Sequence, residues 1–209
     1  CKPRQGLRVT IVPAHATHDL LNCLDRTSPP QRDDRFKYLL HPVVFQLAHL
    51  LCFLECDDAL EKVISRLTDD RESVINRCKV ELANYFAAAL LMPYDVFLTF
   101  ATESDYDIDR MAARFGVSFE QVCHRLTTLQ REGNKGIPFF FLRVDKAGNV
   151  TKRFNSTAFQ IAEYGGSCPV WNMHTAFRTP GVVVPQFVEL PDGGRFFTLS
   201  RTTERPAFS

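Results

Sequence analysis

A change of periodicity near Gly133 constrains the fold of this chain more than any other feature of its sequence. Before it, apolar residues recur at the spacing of amphipathic helices over long stretches. After it, apolar and polar residues alternate, and glycines separate the runs, as in paired strands. The sequence therefore predicts an α+β protein with a helical half, residues 1–133, followed by an antiparallel β-rich half, residues 134–209.

Prolines and acidic residues set the limits of the two longest predicted helices. Pro42 is a favourable first residue for a helix that continues to Leu54, and its nearly continuous apolar side chains predict burial on most sides. Asp69 and Asp70 are predicted to cap a second long helix. Pro93 is predicted to end that helix, because proline lacks the amide hydrogen that another turn would need.

Shorter elements are predicted on either side of these helices. Residues Leu7–Val12 and Arg35–Leu40 have the pattern of short strands, with a polar loop between them. Residues Ile108–Phe115 are predicted to form a helix, and Ser118 begins another that continues to about Gln130. The string Ser-Phe-Glu-Gln supplies an N-cap and, three residues later, a Gln, which is the pattern of a capping box.

Two β-hairpins are predicted in the second half. The first joins Ile137–Val144 to Val150–Phe154 through a turn around Gly148. The second joins Val182–Leu190 to Arg195–Arg201 across the string Pro-Asp-Gly-Gly. Because both connections place turn-forming residues between alternating runs, we expect an antiparallel sheet.

Charge and cysteine usage restrict the class of protein. The chain has 25 Lys and Arg against 24 Asp and Glu, so its net charge of +1 gives no general attraction to nucleic acid or to an anionic membrane. Its seven Cys residues are scattered and include no Cys-x-x-Cys, which favours a reducing cytoplasm over a disulfide framework. Cys52 and Cys56, one helical turn apart, are predicted to act as small buried apolar residues.

The chain begins at Cys1 without a methionine and ends at Ser209 just after an apolar run, so we expect it to be part of a longer protein. No apolar run approaches the roughly 20 residues of a membrane helix. No charged and apolar pair of segments has the form of a signal peptide. We therefore expect a soluble domain of a cytoplasmic protein.

The first long helix has the frame of a zinc peptidase without its ligands. A His-Glu-x-x-His motif would need His and Glu where the chain has Phe45 and Gln46, and only His49 is retained. Glu81 lies in a string that resembles the third-ligand helix of zincin-like peptidases. Because catalytic zinc needs about three protein ligands and a carboxylate base, we predict no catalytic residue and no metal site. His49, Gln46 and Glu81 are expected to form a hydrogen-bonded polar patch between two packed helices.

Several runs of the sequence, long and unusual in composition, carry a resemblance to a known family. They are Phe45–His49 (Phe-Gln-Leu-Ala-His), Ala83–Pro93, Ala113–Arg131, Gly136–Phe154 and Cys168–Gly181. The chain resembles the short-chain fatty acyl-coenzyme A regulators over nearly everything from Phe45 to Arg201.

The resemblance implies a cytoplasmic, allosteric, homo-oligomeric regulator whose N-terminal helix-turn-helix, absent from this chain, binds promoter DNA. Residues 1–133 would be a degenerate, zincin-like metallopeptidase subdomain, and residues 134–209 a sensor subdomain. The chain is similar to mycobacterial family members that control propionate catabolism and the methylcitrate cycle, which implies propionyl-coenzyme A as the effector. Family members often continue into a cysteine-rich tail linked to an iron-sulfur cluster, and Cys168 is the one cysteine here that could join such a cluster.

A coenzyme A site needs aromatic and basic side chains together, because the ligand has an adenine, three phosphates and an apolar acyl end. Alternation places Phe139, Phe141 and Arg143 on one face of a strand, and Lys152 and Arg153 return beside it on the hairpin. The predicted ligand contacts are Arg35, Tyr85, Phe119, Phe139, Phe141, Arg143, Lys152, Arg153 and Trp171.

Contacts outside the hairpin are predicted for separate reasons. Arg35 is a cation on the predicted early strand, and Tyr85 brings a hydroxyl to a largely apolar helix face. Phe119 begins a helix, and a helix N-terminus favours a phosphate nearby. Residues 171–174 are expected to form a polar and aromatic turn that either lines the acyl end or closes the core.

Three other functions are open at this point. A zinc-dependent peptidase that cleaves repressors is opposed by Phe45 and Gln46. DNA binding by this chain itself would use Arg125 and Arg131 as exposed residues of one helix, and the balanced net charge opposes it. A ligand-free dimerisation domain predicts no change of melting temperature with any acyl-coenzyme A, whereas a ligand of the native state must raise it.

Overall fold

A computed structural model describes residues 6–13, 35–67, 70–157, 172–189 and 193–203 of the chain. The chain divides into two units, one of residues 25–125 and one of residues 1–24 together with residues 126–209. The first unit is helical, and the second contains a sheet and a short helix.

The helical unit is built around α1 (Arg35–Glu55) and α3 (Glu72–Leu91), which pack against each other. Further helices are α2 (Asp57–Ile64), α4 (Tyr94–Glu103), α5 (Ile108–Phe115) and α6 (Phe119–Thr127). Cys52, Leu60 and Ala83 are buried in one apolar cluster. That cluster joins α1, α2 and α3.

The start of α1 corrects the sequence prediction. Arg35–Leu40 is helical rather than a strand, and Pro42 lies inside the helix instead of opening it. The physical reason is that six residues of mixed polarity are too few to distinguish the two periods, whereas Phe36 and Leu40 keep a helical spacing with the apolar residues after Pro42. The prediction that this helix is buried on most sides is also wrong, since several of its leucines are exposed.

The limits of α3 agree with the sequence at one end only. Pro93 follows the C-cap residue Met92 and begins the turn into α4, as predicted for the end of the helix. At the other end Arg71 is the N-cap and makes no side-chain capping bond, so capping by Asp70 is wrong; Asp69 lies outside the described residues. Helices α2 and α4 were not predicted.

Among the described helices, none is long and apolar enough to cross a membrane by itself. Helices α3 and α4 together have the length and apolar composition of a membrane span, but the chain bends by 66° between them.

The capping box of α6 is formed as predicted. The Gln121 amide donates to Ser118 Oγ at 3.2 Å, and the Ser118 amide donates to Gln121 Oε1 at 2.7 Å. Two backbone amides that have no acceptor within the helix thereby form hydrogen bonds. The helix ends at Thr127, a few residues before the predicted limit at Gln130.

Replacing Ser118 by Ala is expected to lower the free energy of unfolding by about 1 kcal/mol, because the Gln121 amide loses its acceptor. Chemical denaturation measures this loss. The matched control is Ser73→Ala, at an exposed serine in the first turn of α3, which should change the unfolding free energy by less than about 0.5 kcal/mol. Equal losses in both variants would contradict the capping role.

The second unit contains a five-stranded sheet in the order β3-β2-β1-β5-β4, and every neighbouring pair is antiparallel. Its strands are β1 (Gly6–Pro13), β2 (Phe140–Val144), β3 (Val150–Asn155), β4 (Val184–Glu189) and β5 (Arg195–Thr203). The strand β1, the first in the part of the chain that the structure describes, is therefore the middle strand of the sheet. It belongs with the strand-rich unit, although the sequence prediction placed residues 1–133 together, because its partners lie far away along the chain.

The predicted hairpins are both present, with shorter first strands. In the β2–β3 turn the Asp145 carboxylate accepts bonds from the Asn149 side chain and from the amides of Asn149 and Ala147, each at 2.9 Å. The Asn149 side chain is the main cause of the lowered pKa of Asp145, with the amides adding to it. Gly148 takes the positive φ of 87° that this turn requires.

A short helix, α7 (Asn172–Arg178), packs on β4, β5 and β1 and replaces the turn predicted for these residues. Its buried first residue holds it there: the Asn172 amide donates to Gln186 Oε1 at 2.9 Å, and Ser200 Oγ donates to Asn172 Oδ1 at 2.6 Å. Because directly opposed residues share a face, these bonds place α7 on the face that contains Gln186 and Ser200.

Candidate ligand-binding site

The register of the sheet brings four cationic residues side by side. Arg143 of β2 pairs with Lys152 of β3 and with Arg8 of β1, and Arg8 pairs in turn with Arg201 of β5. We call Lys152, Arg143, Arg8 and Arg201 the cationic row. Directly opposed residues of neighbouring strands have Cβ atoms about 5 Å apart. Four cationic residues at adjacent positions are a suitable place for an anion such as a phosphate.

An aromatic pair lies next to the cationic row on the same face. Phe141 of β2 pairs with Phe154 of β3, and their rings stack with centroids 6.0 Å apart and planes at 20°. Phe141 is buried and Phe154 is half-buried. Farther along this face, the rings of Phe187 and Phe197 lie 4.9 Å apart, and Phe187 is exposed. The face therefore changes from cationic to apolar along the strands.

Local bonds fix the direction of Arg143. Its Nε donates to Thr151 Oγ1 at 2.9 Å, and Thr151 Oγ1 donates to the Arg143 carbonyl at 3.1 Å. The register shifts here, because Val144 pairs with Val150 while Arg143 pairs with Lys152, which leaves Thr151 as the extra residue of a bulge. The bulge thus positions the half-buried guanidinium of Arg143 before any ligand arrives.

Two predicted contacts on the hairpin have other surroundings. Phe139 is buried in the core just before β2, and its amide donates to Ser156 Oγ at 2.9 Å. Arg153 pairs with Leu142 and lies on the opposite face, the one that α7 covers. Grouping Arg153 with Lys152 is therefore wrong, since adjacent residues of a strand point to opposite faces.

A second cluster of aromatic and basic residues lies within the helical unit. The guanidinium of Arg125 is 5.8 Å from the ring centroid of Tyr85 and 5.7 Å from that of Tyr94. Its Nε donates to the carbonyl of Met92, the C-cap residue of α3, at 2.9 Å. Arg125 is only 2% exposed, so its predicted exposure on a DNA-reading helix is wrong. The half-exposed Tyr85 is thus part of a buried cation cluster.

The other predicted contacts are placed as follows. Arg35 is the first residue of α1 rather than part of a strand, and Phe119 is the half-buried first residue of α6. Both belong to the helical unit. Trp171 lies outside the described residues. Of the nine predicted residues, the sheet therefore brings Phe141, Arg143 and Lys152 together on one face.

Arg8 and Arg201 were missed by the sequence prediction. Both carry a signal that a closer inspection of alternation would have found: each is a cation inside a strand whose neighbours are apolar or small. Alternation does not give the order of the strands in the sheet. The positions of Arg8 and Arg201 in the same row as Arg143 therefore follow only from the strand register of the structure.

The predicted polar patch in the degenerate zinc frame is wrong. Glu81 forms an ion pair with Arg77 one turn away, at 3.0 Å, and the His49 ring packs edge-on against Phe53 at 5.2 Å. Gln46 is exposed. Within the described stretches, no hydrogen bond joins these three polar residues of the frame, and the Glu81 carboxylate pairs with Arg77 instead.

The positions of the cysteines bear on two predictions, the burial of Cys52 and Cys56 and a place for Cys168 in an iron-sulfur cluster. Cys52 is buried as predicted, whereas Cys56 is only half-buried, so the prediction is wrong for Cys56. Burial, with a smaller effect of the Cys56 thiol, raises the pKa of the Cys52 thiol. An iron-sulfur cluster needs about four Cys ligands. Cys168 lies outside the described residues, and the described parts of the chain contain no group of three His, Cys, Asp or Glu side chains placed to hold a metal. The described residues therefore do not form such a site.

Two family models match successive parts of the chain. Residues 43–127 match the IrrE N-terminal-like domain, and residues 128–209 match the C-terminal domain of the short-chain fatty acyl coenzyme A regulators. Residues 128–209 therefore belong to the C-terminal domain of this regulator family. The prediction of a zincin-like helical half followed by an antiparallel β-rich half is thereby confirmed.

The similar curated proteins are named as regulators. The propionyl-CoA carboxylase regulator of Cereibacter sphaeroides is 48% identical over 165 residues, 79% of this chain and 36% of that protein. In Mycobacterium tuberculosis, the HTH-type transcriptional regulator PrpR is 47% identical (76% of this chain, 33% of that protein), and RamB is 40% identical (77% and 34%). The chain spans about a third of the length of these curated relatives.

One solved structure extends the comparison to three dimensions. A Mycobacterium tuberculosis transcriptional regulator aligns with a TM-score of 0.66 at 38% sequence identity, over 77% of this chain and 55% of that chain. The chain is therefore similar in fold to that transcriptional regulator.

Proposed function

We propose that this chain is the effector-binding part of a cytoplasmic transcription regulator, and that it binds a short-chain acyl-coenzyme A, propionyl-coenzyme A above all. The observation that carries the proposal is the cross-strand register, which puts the cationic row beside the stacked rings of Phe141 and Phe154. The ligand would lie on this face of the sheet.

The chemistry of coenzyme A matches the order of groups on this face. Phosphates accept charge-assisted hydrogen bonds from guanidinium and ammonium groups, and Arg presents its donors in a fork that suits them. Arg143 is held in place by Thr151, so less conformational entropy is lost when it binds a phosphate. The apolar residues beyond the row suit the pantetheine and acyl parts of the ligand.

The relatives support the regulatory part of the proposal. One is named for the regulation of a propionyl-CoA carboxylase, and two are named as HTH-type transcriptional regulators. We infer that this chain acts within a longer protein whose helix-turn-helix domain binds promoters of propionate and methylcitrate-cycle genes. Ligand binding would favour one arrangement of that domain over another.

We also infer that the IrrE-like helices are a scaffold and not a peptidase. A peptidase of this fold needs a carboxylate to take a proton from metal-bound water, and Gln46 stands at that position. Phe45 replaces a ligand, and Glu81 is engaged by Arg77. The helical half thus retains the fold without the chemical groups of the reaction.

The test is a thermal-shift series on the chain with acetyl-, propionyl- and longer acyl-coenzyme A. At about 100 Kd, a ligand of the native state stabilises it by about 2.7 kcal/mol. For a chain of this size we expect the melting temperature to rise by about 5–10 °C. Propionyl-coenzyme A should give the largest rise, because a relative 48% identical to this chain is named for the regulation of a propionyl-CoA carboxylase.

Propionate alone and an unrelated nucleotide diphosphate serve as controls for the two ends of the ligand. Neither should shift the melting temperature as far as the intact thioester does. A series without any shift would contradict ligand binding and favour the ligand-free dimerisation domain. An equal shift with the nucleotide diphosphate would show a general polyphosphate site and contradict acyl-coenzyme A selectivity.

A further inference from the structure

Two cysteines lie together where α1 ends and α2 begins. Cys52 is in the last turn of α1, and Cys56 is the single residue between the two helices. The Cys56 amide donates to the Cys52 carbonyl at 2.9 Å, which places the two residues one helical turn apart. Their thiols share a hydrogen bond, and neither cysteine is in a disulfide. We call Cys52 and Cys56 the thiol pair.

The two thiols differ in their exposure. Cys52 is 1% exposed and packs with Leu60 and Ala83 in the apolar cluster that joins α1, α2 and α3. Cys56 is half-buried at the edge of that cluster. It is the N-cap residue of α2, but its side chain makes no capping bond, so the helix does not depend on its thiol. A reagent from solvent would therefore reach Cys56 first and then Cys52.

The spacing of the thiol pair suits a one-atom bridge better than a direct bond between the sulfurs. Residues four apart on a helix have Cβ atoms about 5–6 Å apart. A disulfide holds its two Cβ atoms at about 3.5–4.5 Å, so oxidation of the pair would require the backbone to move. An atom that binds both sulfurs makes up the difference while the backbone stays in place.

The apolar surroundings restrict which atom that is. Burial raises the pKa of the Cys52 thiol, which disfavours the thiolate that a metal ion requires. A singly charged ion held by two thiolates would also leave a net charge in an apolar cluster, which is costly. The described parts of the chain contain no group of three His, Cys, Asp or Glu side chains that could complete a metal site. The pair therefore suits an element that forms a neutral product with two sulfurs.

Geometry distinguishes the two elements that meet this condition. Hg²⁺ binds two sulfurs in a straight line and holds them farther apart than two thiols that share a hydrogen bond. Trivalent arsenic is pyramidal, so it holds both sulfurs on one side and close together. Two thiols one helical turn apart, which already contact each other, match the arsenic geometry.

We propose that the thiol pair is a binding site for monosubstituted trivalent arsenicals, R–As(OH)₂. Two As–O bonds and two S–H bonds break, two As–S bonds form, and each hydroxyl group leaves with one thiol proton as water. Arsenic and sulfur keep their oxidation states, so the step needs no oxidant or reductant. The proposal is independent of acyl-coenzyme A, because the thiol pair belongs to the helical unit and not to the sheet.

The test labels the chain with phenylarsine oxide, which hydrates to such an arsenical, in a buffer with a phosphine and no free thiol. Peptide mapping by mass spectrometry should find one phenylarsenic group joining Cys52 to Cys56. The label is then removed with increasing 1,2-ethanedithiol, which reports the affinity at each site. In Cys56→Ala, removal from Cys52 should need at least ~100-fold less dithiol, because a single attachment lacks the second, intramolecular one.

The matched control is Cys78→Ala, at a half-buried cysteine of α3, and it should hold the label on the thiol pair like the unaltered chain. Circular dichroism reports whether each variant is folded, and Cys56→Ser, which keeps the shape of the side chain, replaces Cys56→Ala if that variant unfolds. A label found only on other cysteines would overturn the proposal. Equal retention on Cys52 with and without the Cys56 thiol would overturn it too, since the second sulfur would then contribute nothing.

Discussion

Replacing Arg143 and Arg201 together by Ala is expected to weaken propionyl-coenzyme A binding by about 100-fold or more. Each guanidinium of the cationic row would give a phosphate a charge-assisted hydrogen bond worth about 1.5–3 kcal/mol, and 1.4 kcal/mol corresponds to a factor of ten in Kd. Isothermal titration calorimetry measures the loss of affinity, and a melting curve of the free variant shows whether it is folded.

The sheet offers a matched control in two adjacent residues. Lys152 lies on the face of the cationic row, and Arg153, next to it on β3, lies on the other face. Lys152→Ala should weaken binding about 10-fold, and Arg153→Ala should leave it unchanged, although both remove one exposed positive charge. Equal losses would mean that only the overall charge matters, and would contradict a site on one face.

Replacing Arg125 by Ala is expected to lower the free energy of unfolding of the helical unit by about 2–4 kcal/mol. The substitution leaves the Met92 carbonyl without its 2.9 Å donor and removes the cation that lies over Tyr85 and Tyr94. It also leaves a cavity where a side chain 2% exposed had packed. Chemical denaturation followed by tyrosine fluorescence measures the loss and reports on the cluster itself.

Two further variants separate the causes of that loss. Arg125→Lys keeps the charge but lacks the Nε that donates to Met92, so we expect it to recover less than half of the stability. Arg131→Ala removes an exposed arginine a few residues later and should change the unfolding free energy by less than about 0.5 kcal/mol. If Arg125→Ala were as mild as Arg131→Ala, the buried cluster would not contribute to stability.

Elements that depend on local chemistry were predictable from the sequence. The capping box at Ser118, the end of α3 at Pro93 and the β2–β3 turn each rest on residues a few positions apart. The strand predicted at Arg35–Leu40 was wrong for a local reason too, since a short run fits more than one period. The middle position of β1 was out of reach, because its partners are distant in sequence.

In the candidate site, too, some features were predictable from the sequence and others were not. Alternation alone put Phe141 and Arg143 on one face, and the structure agrees, whereas treating Lys152 and Arg153 alike ignored that same alternation. The burial of Arg125 could not be predicted from α6, because it depends on tyrosines contributed by α3 and α4. Which of these groups touch a ligand stays a prediction for the experiments above.

The position of β1 has a consequence for the order of folding during synthesis. The ribosome makes β1 before the helical unit, whereas its two neighbours, β2 and β5, emerge only after that unit. The helices have mostly local contacts and are able to form while synthesis continues. The sheet cannot be completed on both sides of β1 until β5 has been synthesised. Until β5 arrives, β1 has at least one open edge, and a nascent strand with an open edge is the kind of segment that chaperones protect from aggregation.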